Sequence, residues 1–366
     1  MKGDLSKALS HNKKSLNVKL VYLSSNDPEL SATYCNIGSI LCRQNDLHSA
    51  LEYHESALNI DLSTLQPNQL QIAAAYNNIG EVYRLMGNNL LALSYYQKTF
   101  EIKKTSLPPN HPSLADTSNN IGGILYSMGD YSNALSYYDK AFVIQEKYRP
   151  LYHLSLIKIY NNIGAIYRVM GDNSTMLSYY MKALKIQQKS LPINDPSLSI
   201  IHNNIGDIHQ QMGDYSVALI YYVKSLEIQQ KSLPSNHPSL ATTYNNIGSV
   251  YQSIEDNITA LSYFIKAIKI MDEPISTNHP SLIEIYNNIA GVYHAMNDYT
   301  TALSFFQKSL EIVEKSLLLN HPSLAIAYNN IGGVYQAMED YSKALEFYKK
   351  KRSKSNKNLF HLIRHR

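Results

Sequence analysis

Hydrophobic and polar residues follow a helical spacing along this chain, in short blocks that return at a fixed interval. Tyr76, Ile79 and Tyr83 lie three and four residues apart, which places them on one stripe of a helix. In another block the turn Met128-Gly129-Asp130 precedes residues 134–141, which show the same spacing. The pattern predicts pairs of helices joined by a short turn, and no strand-like alternation competes with it.

The interval between blocks is constant. We call the last residue of each block's Tyr-Asn-Asn-Ile-Gly-like segment the anchor, and successive anchors are 42 residues apart. The anchors are Gly38, Gly80, Gly122, Gly164, Gly206, Gly248, Ala290 and Gly332. Eight copies without a slip predict one array. We expect a partial repeat with only a second helix at 1–26, eight tandem repeats at 27–348, and a basic tail at 349–366.

Proline and glycine recur at helix starts, turns and anchors of the copies. Proline suits the first turn of the first helix, because that position needs no N–H donor. The residue before this proline is predicted near the helix N-cap; these residues are Asp27, Asp195, His237, His279 and His321. A turn glycine can adopt positive φ, and an anchor glycine lets two helices approach closely.

Composition limits the function further. The chain has 33 Lys and Arg against 29 Asp and Glu, a net charge of +4, and eight of the positive charges lie in the last eighteen residues. The residues before this tail therefore have a net negative charge and lack the basic surface typical of nucleic-acid binding. No apolar run is long enough to cross a membrane. The two cysteines, Cys35 and Cys42, are too far apart on a helix to bond. These features predict a cytoplasmic protein, and an association with the cytoskeleton is expected only from the family resemblance given below.

The spacing of small and aromatic residues within each copy resembles a known repeat. Relative to Gly80, an aromatic residue lies three positions later (Tyr83), an alanine twelve later (Ala92) and an aromatic sixteen later (Tyr96). This arrangement is similar to the tetratricopeptide repeat. The 42-residue length, the Asn-Asn pair and the His-Pro of the loop resemble the repeats of kinesin light chains.

The resemblance implies a right-handed superhelical α-solenoid, an all-α fold in which the first helices line a concave groove. It also implies a non-catalytic scaffold that binds extended peptide segments of cargo or adaptor proteins, with kinesin heavy chain among its partners. The alternative is a regulatory or partner-binding array within a larger protein that carries an upstream enzymatic or nucleotide-binding domain.

Asparagine lies two residues before every anchor, and we call these eight residues the asparagine ladder. They are Asn36, Asn78, Asn120, Asn162, Asn204, Asn246, Asn288 and Asn330. At 100° per residue, this position shares a face with the residues six before, one after and five after the anchor. We predict that this face lines the groove, with wall residues that include Lys158, Arg43, Leu85, Val169 and Gln211.

A carboxamide has donors and an acceptor, so it can pair with the backbone of an extended peptide. Copies about 10 Å apart would meet about every third peptide residue. The alternative is that the ladder bonds to the adjacent helix and holds the stack together.

The sequence contains no pattern for catalysis or for a cofactor. Histidines one repeat apart, such as His237, His279 and His321, are too widely spaced to share a metal ion. Phosphate-loop, zinc-protease and Cys-x-x-Cys motifs are missing from the sequence. We therefore expect no enzyme, cofactor, metal or small-molecule substrate, and no nucleic acid or membrane insertion.

Overall fold

Our structure is a computed structural model that describes residues 2–64, 66–148, 154–272, 280–316 and 322–350. The chain divides into two compact units, Met1–Ser190 (unit 1) and Leu191–Arg366 (unit 2). The predicted caps His279 and His321 and most of the basic tail lie outside the described residues.

The described residues are helices joined by short loops, as the spacing predicts. Unit 1 contains α1 (Lys2–Tyr22), α2 (Pro28–Arg43), α3 (Leu47–Ser63), α4 (Gln69–Leu85), α5 (Asn89–Ser106), α6 (Pro112–Ser127), α7 (Tyr131–Tyr148), α8 (Ser155–Met170) and α9 (Asn173–Ser190). Unit 2 contains α10 (Pro196–Gln211), α11 (Tyr215–Ser232), α12 (Pro238–Ser253), α13 (Asn257–Asp272), α14 (Ser281–Ala295), α15 (Tyr299–Ser316) and α16 (Pro322–Ala337), and residues 341–350 are also helical.

Within each unit the helices pack as successive pairs. In unit 1, α4 packs on α5, and α5 packs on α6 of the next pair. In unit 2, α10 packs on α11, and α11 packs on α12. This arrangement confirms an all-α solenoid of tandem helix pairs. The split of the sequence at residues 26 and 348 stays a prediction.

The start of the first helix in several copies is capped by the residue before the proline. Asp27 accepts a hydrogen bond from the backbone N–H of Glu29 at 2.9 Å. His237 does the same with its Nδ1 atom, which lies 3.2 Å from the N–H of Ser239. The capping prediction is therefore confirmed at these positions, because each side chain satisfies one of the unpaired donors of the helix.

The anchor glycines let the two helices of a pair come together. A Cβ atom at Gly122 would lie 2.7 Å from the Tyr138 ring, and one at Gly206 would lie 2.7 Å from the Tyr222 ring. Both tyrosines are fully buried. In the turns, Gly129 has a φ of +81°, which a side chain would strain.

A second set of aromatic residues fills the space between the helices of most pairs. Tyr95 of α5 lies 5.8 Å from the Tyr76 ring and 5.6 Å from the Tyr83 ring of α4, measured between centroids. The ammonium group of Lys98 lies 4.8 Å from the centroid of Tyr95. The same arrangement returns in unit 2, where Lys266 caps Tyr263 at 4.6 Å. These tyrosines and lysines therefore belong to the packing of the pair.

Candidate functional site

The asparagine ladder lies on the first helices, at the border between the core and the surface. Asn36 is exposed, and the other seven ladder residues are half-buried. Each side chain precedes the buried Ile and the buried anchor of its copy, so the packing of these neighbours fixes its direction. The ladder is therefore neither sealed in the core nor freely solvated.

Several ladder carboxamides bond to the preceding copy. The Nδ2 group of Asn162 donates to Oδ1 of Asn119 at 2.9 Å. In unit 2, Nδ2 of Asn288 donates to Oδ1 of Asn245 at 3.0 Å. The acceptors Asn119 and Asn245 are buried and lie three residues before their own anchors. The alternative role in holding the stack together thus has direct support at these positions.

Two further contacts vary this pattern. Nδ2 of Asn246 donates to Oδ1 of Asp207 at 3.2 Å. Asn78 bonds to Cys35, which occupies the position held by asparagine in the later copies. Burial raises the pKa of the Cys35 thiol to about 11, although the hydrogen bond from Asn78 opposes this rise. The thiol is therefore protonated at neutral pH.

Within the described residues, the remaining ladder members have no hydrogen bond to a neighbouring copy. They are Asn36, Asn120, Asn204 and Asn330. Their donors and acceptors are available to a ligand, and so is Oδ1 of Asn162, for which the described part of the chain supplies no donor. The ladder thus combines carboxamides fixed by the stack with carboxamides that face solvent.

The ladder borders clefts on the first-helix surface of each unit. In unit 1, Asn78 and Asn120 line one cleft of about 450 Å³. A second cleft of about 270 Å³ contains Asn78 with the predicted wall residues Arg43 and Leu85.

In unit 2, Asn246 and the predicted wall residue Gln211 line a cleft of about 590 Å³. The other two predicted wall residues, Lys158 and Val169, are exposed on α8. Three of the five wall residues grouped by helical geometry, Arg43, Leu85 and Gln211, thus share a cleft with a ladder asparagine, and the role of the wall stays a prediction.

The position one residue after the anchor carries charges that the sequence interpretation did not single out. In copy 2 this residue is Glu81, which accepts hydrogen bonds from Arg84 at 2.7 and 2.6 Å and from the Tyr96 hydroxyl at 2.8 Å. Burial raises the pKa of Glu81, but the bonds from Arg84 and Tyr96 outweigh it and hold the pKa below its ordinary value. In copy 5 this residue is Asp207. The 100° rule places this position on the ladder face, and that signal could have identified both carboxylates.

The clefts contain no grouping suited to metal or membrane chemistry. Over the ranges that the structure describes, no three His, Cys, Asp or Glu side chains are placed to share a metal ion. None of the described helices combines the length and the hydropathy needed to span a bilayer. What the ladder face offers is carboxamides, hydroxyls and a few charges, a set suited to hydrogen bonding with another polypeptide.

Comparisons with solved structures find similar folds at low identity. The apo form of the quorum sensor NprR from B. thuringiensis has a TM-score of 0.68 at 16% identity, covering 96% of this chain and 98% of that chain. BtubC (BKLC) from P. vanneervenii has a TM-score of 0.53 at 16% identity, covering 63% of this chain and 89% of that one.

A crystal structure of nearly identical kinesin light chain TPR-like repeats from Podosopora anserina is also similar to the chain. It has a TM-score of 0.48 at 22% identity, and covers 56% of this chain and 98% of that one. No curated protein matches the chain.

The sequence itself matches a family model over most of its length. The model for the tetratricopeptide repeat matches residues 1–63, 71–147, 155–231, 197–273 and 281–350. These segments coincide with the helix pairs and with the anchor-to-aromatic contacts described above. The chain belongs to the tetratricopeptide repeat family.

Proposed function

We propose that the chain is a non-catalytic scaffold that binds extended peptide segments of partner proteins along its first helices, through the asparagine ladder. The proposal rests on the hydrogen bonding of the ladder carboxamides in the two units. Some carboxamides are held by the preceding copy, and others in the same register have no partner in the described residues. A register of half-buried donors and acceptors suits a peptide backbone, whose N–H and C=O groups also recur at a fixed spacing.

The energetics favour several weak contacts. Each hydrogen bond contributes about 1 kcal/mol net. Ordering a flexible peptide offsets part of the gain, so a short segment would bind with a dissociation constant in about the micromolar range. The apolar residues between the carboxamides, such as Leu85 and Val169, are exposed and would add contact area.

The test is a double variant that removes ladder carboxamides without disturbing the stack. Asn120→Ala and Asn204→Ala change one residue in each unit, and neither side chain bonds to a neighbour in the described residues. Asn59→Ala is the matched control, because Asn59 is exposed on the second helix α3. Random dodecapeptides displayed on phage are selected on the immobilised full chain, and the affinities of the enriched peptides are then measured by fluorescence polarisation.

We expect the double variant to weaken these peptides about five- to tenfold, with unchanged helicity, and the control to bind like the unmodified chain. Equal affinity of the double variant and the control would contradict the role of the ladder. A library from which no peptide is enriched would contradict the scaffold function itself.

The narrower proposal is that the partners are cargo adaptors and that the chain associates with kinesin heavy chain in the cytoplasm. The resemblance of the 42-residue copies to kinesin light chain repeats supports it. Retention of a kinesin heavy chain on the immobilised chain is the expected result, and failure to retain it would exclude the motor role. The alternative, a regulatory array of a larger protein, predicts instead that the coding sequence upstream of Met1 encodes a catalytic or nucleotide-binding domain.

A further inference from the structure

Two ladder asparagines of unit 2 are held by hydrogen bonds that give their carboxamides one orientation. The Nδ2 group of Asn246 donates to the carboxylate of Asp207 at 3.2 Å. Nδ2 of Asn288 donates to Oδ1 of Asn245 at 3.0 Å. Asn246 and Asn288 occupy the same position in consecutive copies, on α12 and α14. In both side chains the nitrogen is therefore turned toward the preceding copy.

The orientation of Asn288 depends on a third residue, Glu284. Asn245 is buried, and its own Nδ2 group donates to Oε1 of Glu284 at 3.0 Å. An ionised carboxylate accepts hydrogen bonds and donates none, so this bond determines which end of the Asn245 carboxamide is the oxygen. That oxygen can only accept, and it therefore turns Nδ2 of Asn288 toward itself. Glu284 thus orients a ladder carboxamide of its own copy through the buried Asn245 of the copy before.

The corresponding pair of unit 1 lacks an orienting carboxylate. Asn162 donates to Asn119 there, and Lys158 occupies the position of Glu284, six residues before the anchor. An ammonium group has donors and no acceptor, so Lys158 cannot orient Asn119 in the same way. The arrangement around Glu284 is therefore a feature of unit 2.

Both oriented carboxamides offer an oxygen to a ligand. Oδ1 of Asn246 and Oδ1 of Asn288 accept no hydrogen bond from the described residues, and neither atom is buried. Asn246 also lines the unit 2 cleft of about 590 Å³. An amide oxygen accepts hydrogen bonds, so these two positions of the ladder require donors in the ligand. The backbone N–H groups of a peptide are such donors.

The spacing of the two oxygens limits the conformation of the peptide. The first helices α12 and α14 contact each other, and helices in contact lie about 8–10 Å apart. In a β-strand, N–H groups that face the same side are about 6.7 Å apart, and residues i and i+3 face opposite sides. In a polyproline II helix every third residue faces the same side, about 9.3 Å further along. The ladder spacing therefore matches a polyproline II helix.

We infer that unit 2 binds a peptide in the polyproline II conformation, in which two N–H groups three residues apart donate to Oδ1 of Asn246 and Oδ1 of Asn288; this inference rests on the function proposed above. Glu284 is a positioning residue, because it acts on the peptide through Asn245 and Asn288. Proline has no N–H, so it is excluded at the two donor positions. At the two positions between them proline is favoured, since it stabilises the polyproline II conformation.

The test starts from the dodecapeptides selected on the immobilised full chain. Peptides that bind more weakly to Asn288→Ala are resynthesised with each backbone amide in turn replaced by an ester, which puts an oxygen in place of the N–H and keeps the side chain. Fluorescence polarisation compares the amide and ester peptides on the unmodified chain, on Asn288→Ala and on Glu284→Gln.

Glu284→Gln keeps the size of the side chain and changes its hydrogen bonding. The amide of glutamine can donate as well as accept, so Asn245 and Asn288 are no longer held in one orientation. The control is Glu227→Gln, which removes the same charge from an exposed position on the second helix α11. Circular dichroism checks that all variants keep the same helicity.

We expect an ester to weaken binding to the unmodified chain and to the control about fivefold at two positions three residues apart, and less than about twofold elsewhere. Asn288→Ala should abolish the loss at one of the two positions, which identifies the N–H that faces Asn288. Glu284→Gln should reduce the loss at that same position to less than about twofold and leave the other position unchanged.

Several results would overturn the inference and leave the scaffold function intact. They are selected peptides that Asn288→Ala binds unchanged, ester-sensitive positions that are absent or two residues apart, and a loss at the Asn288 position that Glu284→Gln leaves as large as before. Equal weakening of amide and ester peptides by Glu284→Gln would reduce Glu284 to a structural role and overturn it as well. A library that yields no binder would contradict the scaffold function and this inference together.

Discussion

The side chain of Asn162 donates a 2.9 Å hydrogen bond to Asn119, the residue that occupies the neighbouring position one repeat earlier. The bond joins two first helices of unit 1 that are separated in sequence by a second helix. Asn119 is buried, so its oxygen has exchanged water for this partner. The contact therefore contributes to the stability of the stack, as well as fixing a ladder carboxamide.

Replacing Asn119 with alanine should destabilise the chain. The substitution removes a buried acceptor and leaves Nδ2 of Asn162 without this partner, which costs about 1–2 kcal/mol in the free energy of unfolding. Urea denaturation followed by circular dichroism measures the change. Asn59→Ala on the exposed face of α3 serves as the control and should stay within about 0.5 kcal/mol of the unmodified chain. If Asn119→Ala lowers the free energy of unfolding no more than the control does, the bond between the repeats makes no net contribution to stability.

Two adjacent glycines of α6 should respond to alanine in opposite directions. At Gly122 a Cβ atom would lie 2.7 Å from the Tyr138 ring, whereas at Gly123 it would meet only the Tyr138 hydroxyl at 3.7 Å. Gly122→Ala should therefore cost at least about 2 kcal/mol through overpacking. Gly123→Ala should stabilise the chain by about 0.5–1 kcal/mol, because alanine favours the helix. Thermal unfolding of the two variants side by side checks the prediction, and equal midpoints would refute the close approach of α6 and α7.

The tyrosine hydroxyls next to the anchors should differ in their contribution. The hydroxyl of Tyr222 donates to Asp207 and lies 2.9 Å from Oε1 of Gln210. Tyr138 is equally buried, but its hydroxyl forms no hydrogen bond with the described residues. Tyr222→Phe should lower the free energy of unfolding by about 1–2 kcal/mol, because a charged acceptor loses its donor. Tyr138→Phe should be nearly neutral, and a comparable loss in both variants would contradict the assignment.

Stability should fall as the pH is lowered from about 6.5 towards 4. Burial lowers the pKa of His54 to about 4, and burial together with the nearby Lys224 lowers the pKa of His202 to about 4. The unfolded chain then binds protons below pH 6.5 that the folded chain does not bind until about pH 4, so acid favours unfolding. The loss approaches about 3 kcal/mol for His54 near pH 4, and is smaller for His202, whose ring is slightly more exposed.

The pH prediction has a direct control in the repeat itself. Tyrosine occupies the place of His54 in the next copy as Tyr96, and the place of His202 in the preceding copy as Tyr160. The variant His54→Tyr, His202→Tyr should therefore show a flatter dependence of the unfolding midpoint between pH 6.5 and 4. An unchanged slope would assign the acid sensitivity to the carboxylates instead.

Much of the fold could be predicted from the sequence, because a helix or turn that is uncertain in one copy is indicated clearly in the other copies. The 42-residue period fixes the helix pairs, the prolines fix their first turns, and the anchor-to-aromatic spacing fixes the contact between Gly122 and Tyr138. Helical geometry also grouped Asn246 with Gln211, and both residues line one cleft. Each of these inferences depends on a single helix or on a pair of adjacent helices.

The hydrogen bonds of the ladder could not be predicted in the same way. They depend on the rotation and separation of first helices from different copies, and sequence spacing defines neither quantity. Asn288 donates to Asn245, whereas Asn246 donates to Asp207, and each choice of acceptor is set by a distance of about 3 Å that a small rotation would change. That Asp207 and Glu284 line one cleft could not be predicted for a similar reason, since they belong to helices two copies apart in the sequence.

In the bond between asparagines of successive copies, the later copy donates and the earlier copy accepts. Each 42-residue block therefore has one donating side and one accepting side. In unit 1 Asn162 donates to the copy before it, and Asn119 accepts from the copy after it. A block of 42 residues excised between equivalent positions would therefore bring together two surfaces that already complement each other. Removing or adding whole 42-residue blocks should therefore be tolerated. A deletion of any other length would bring together helix faces that do not normally pack on each other.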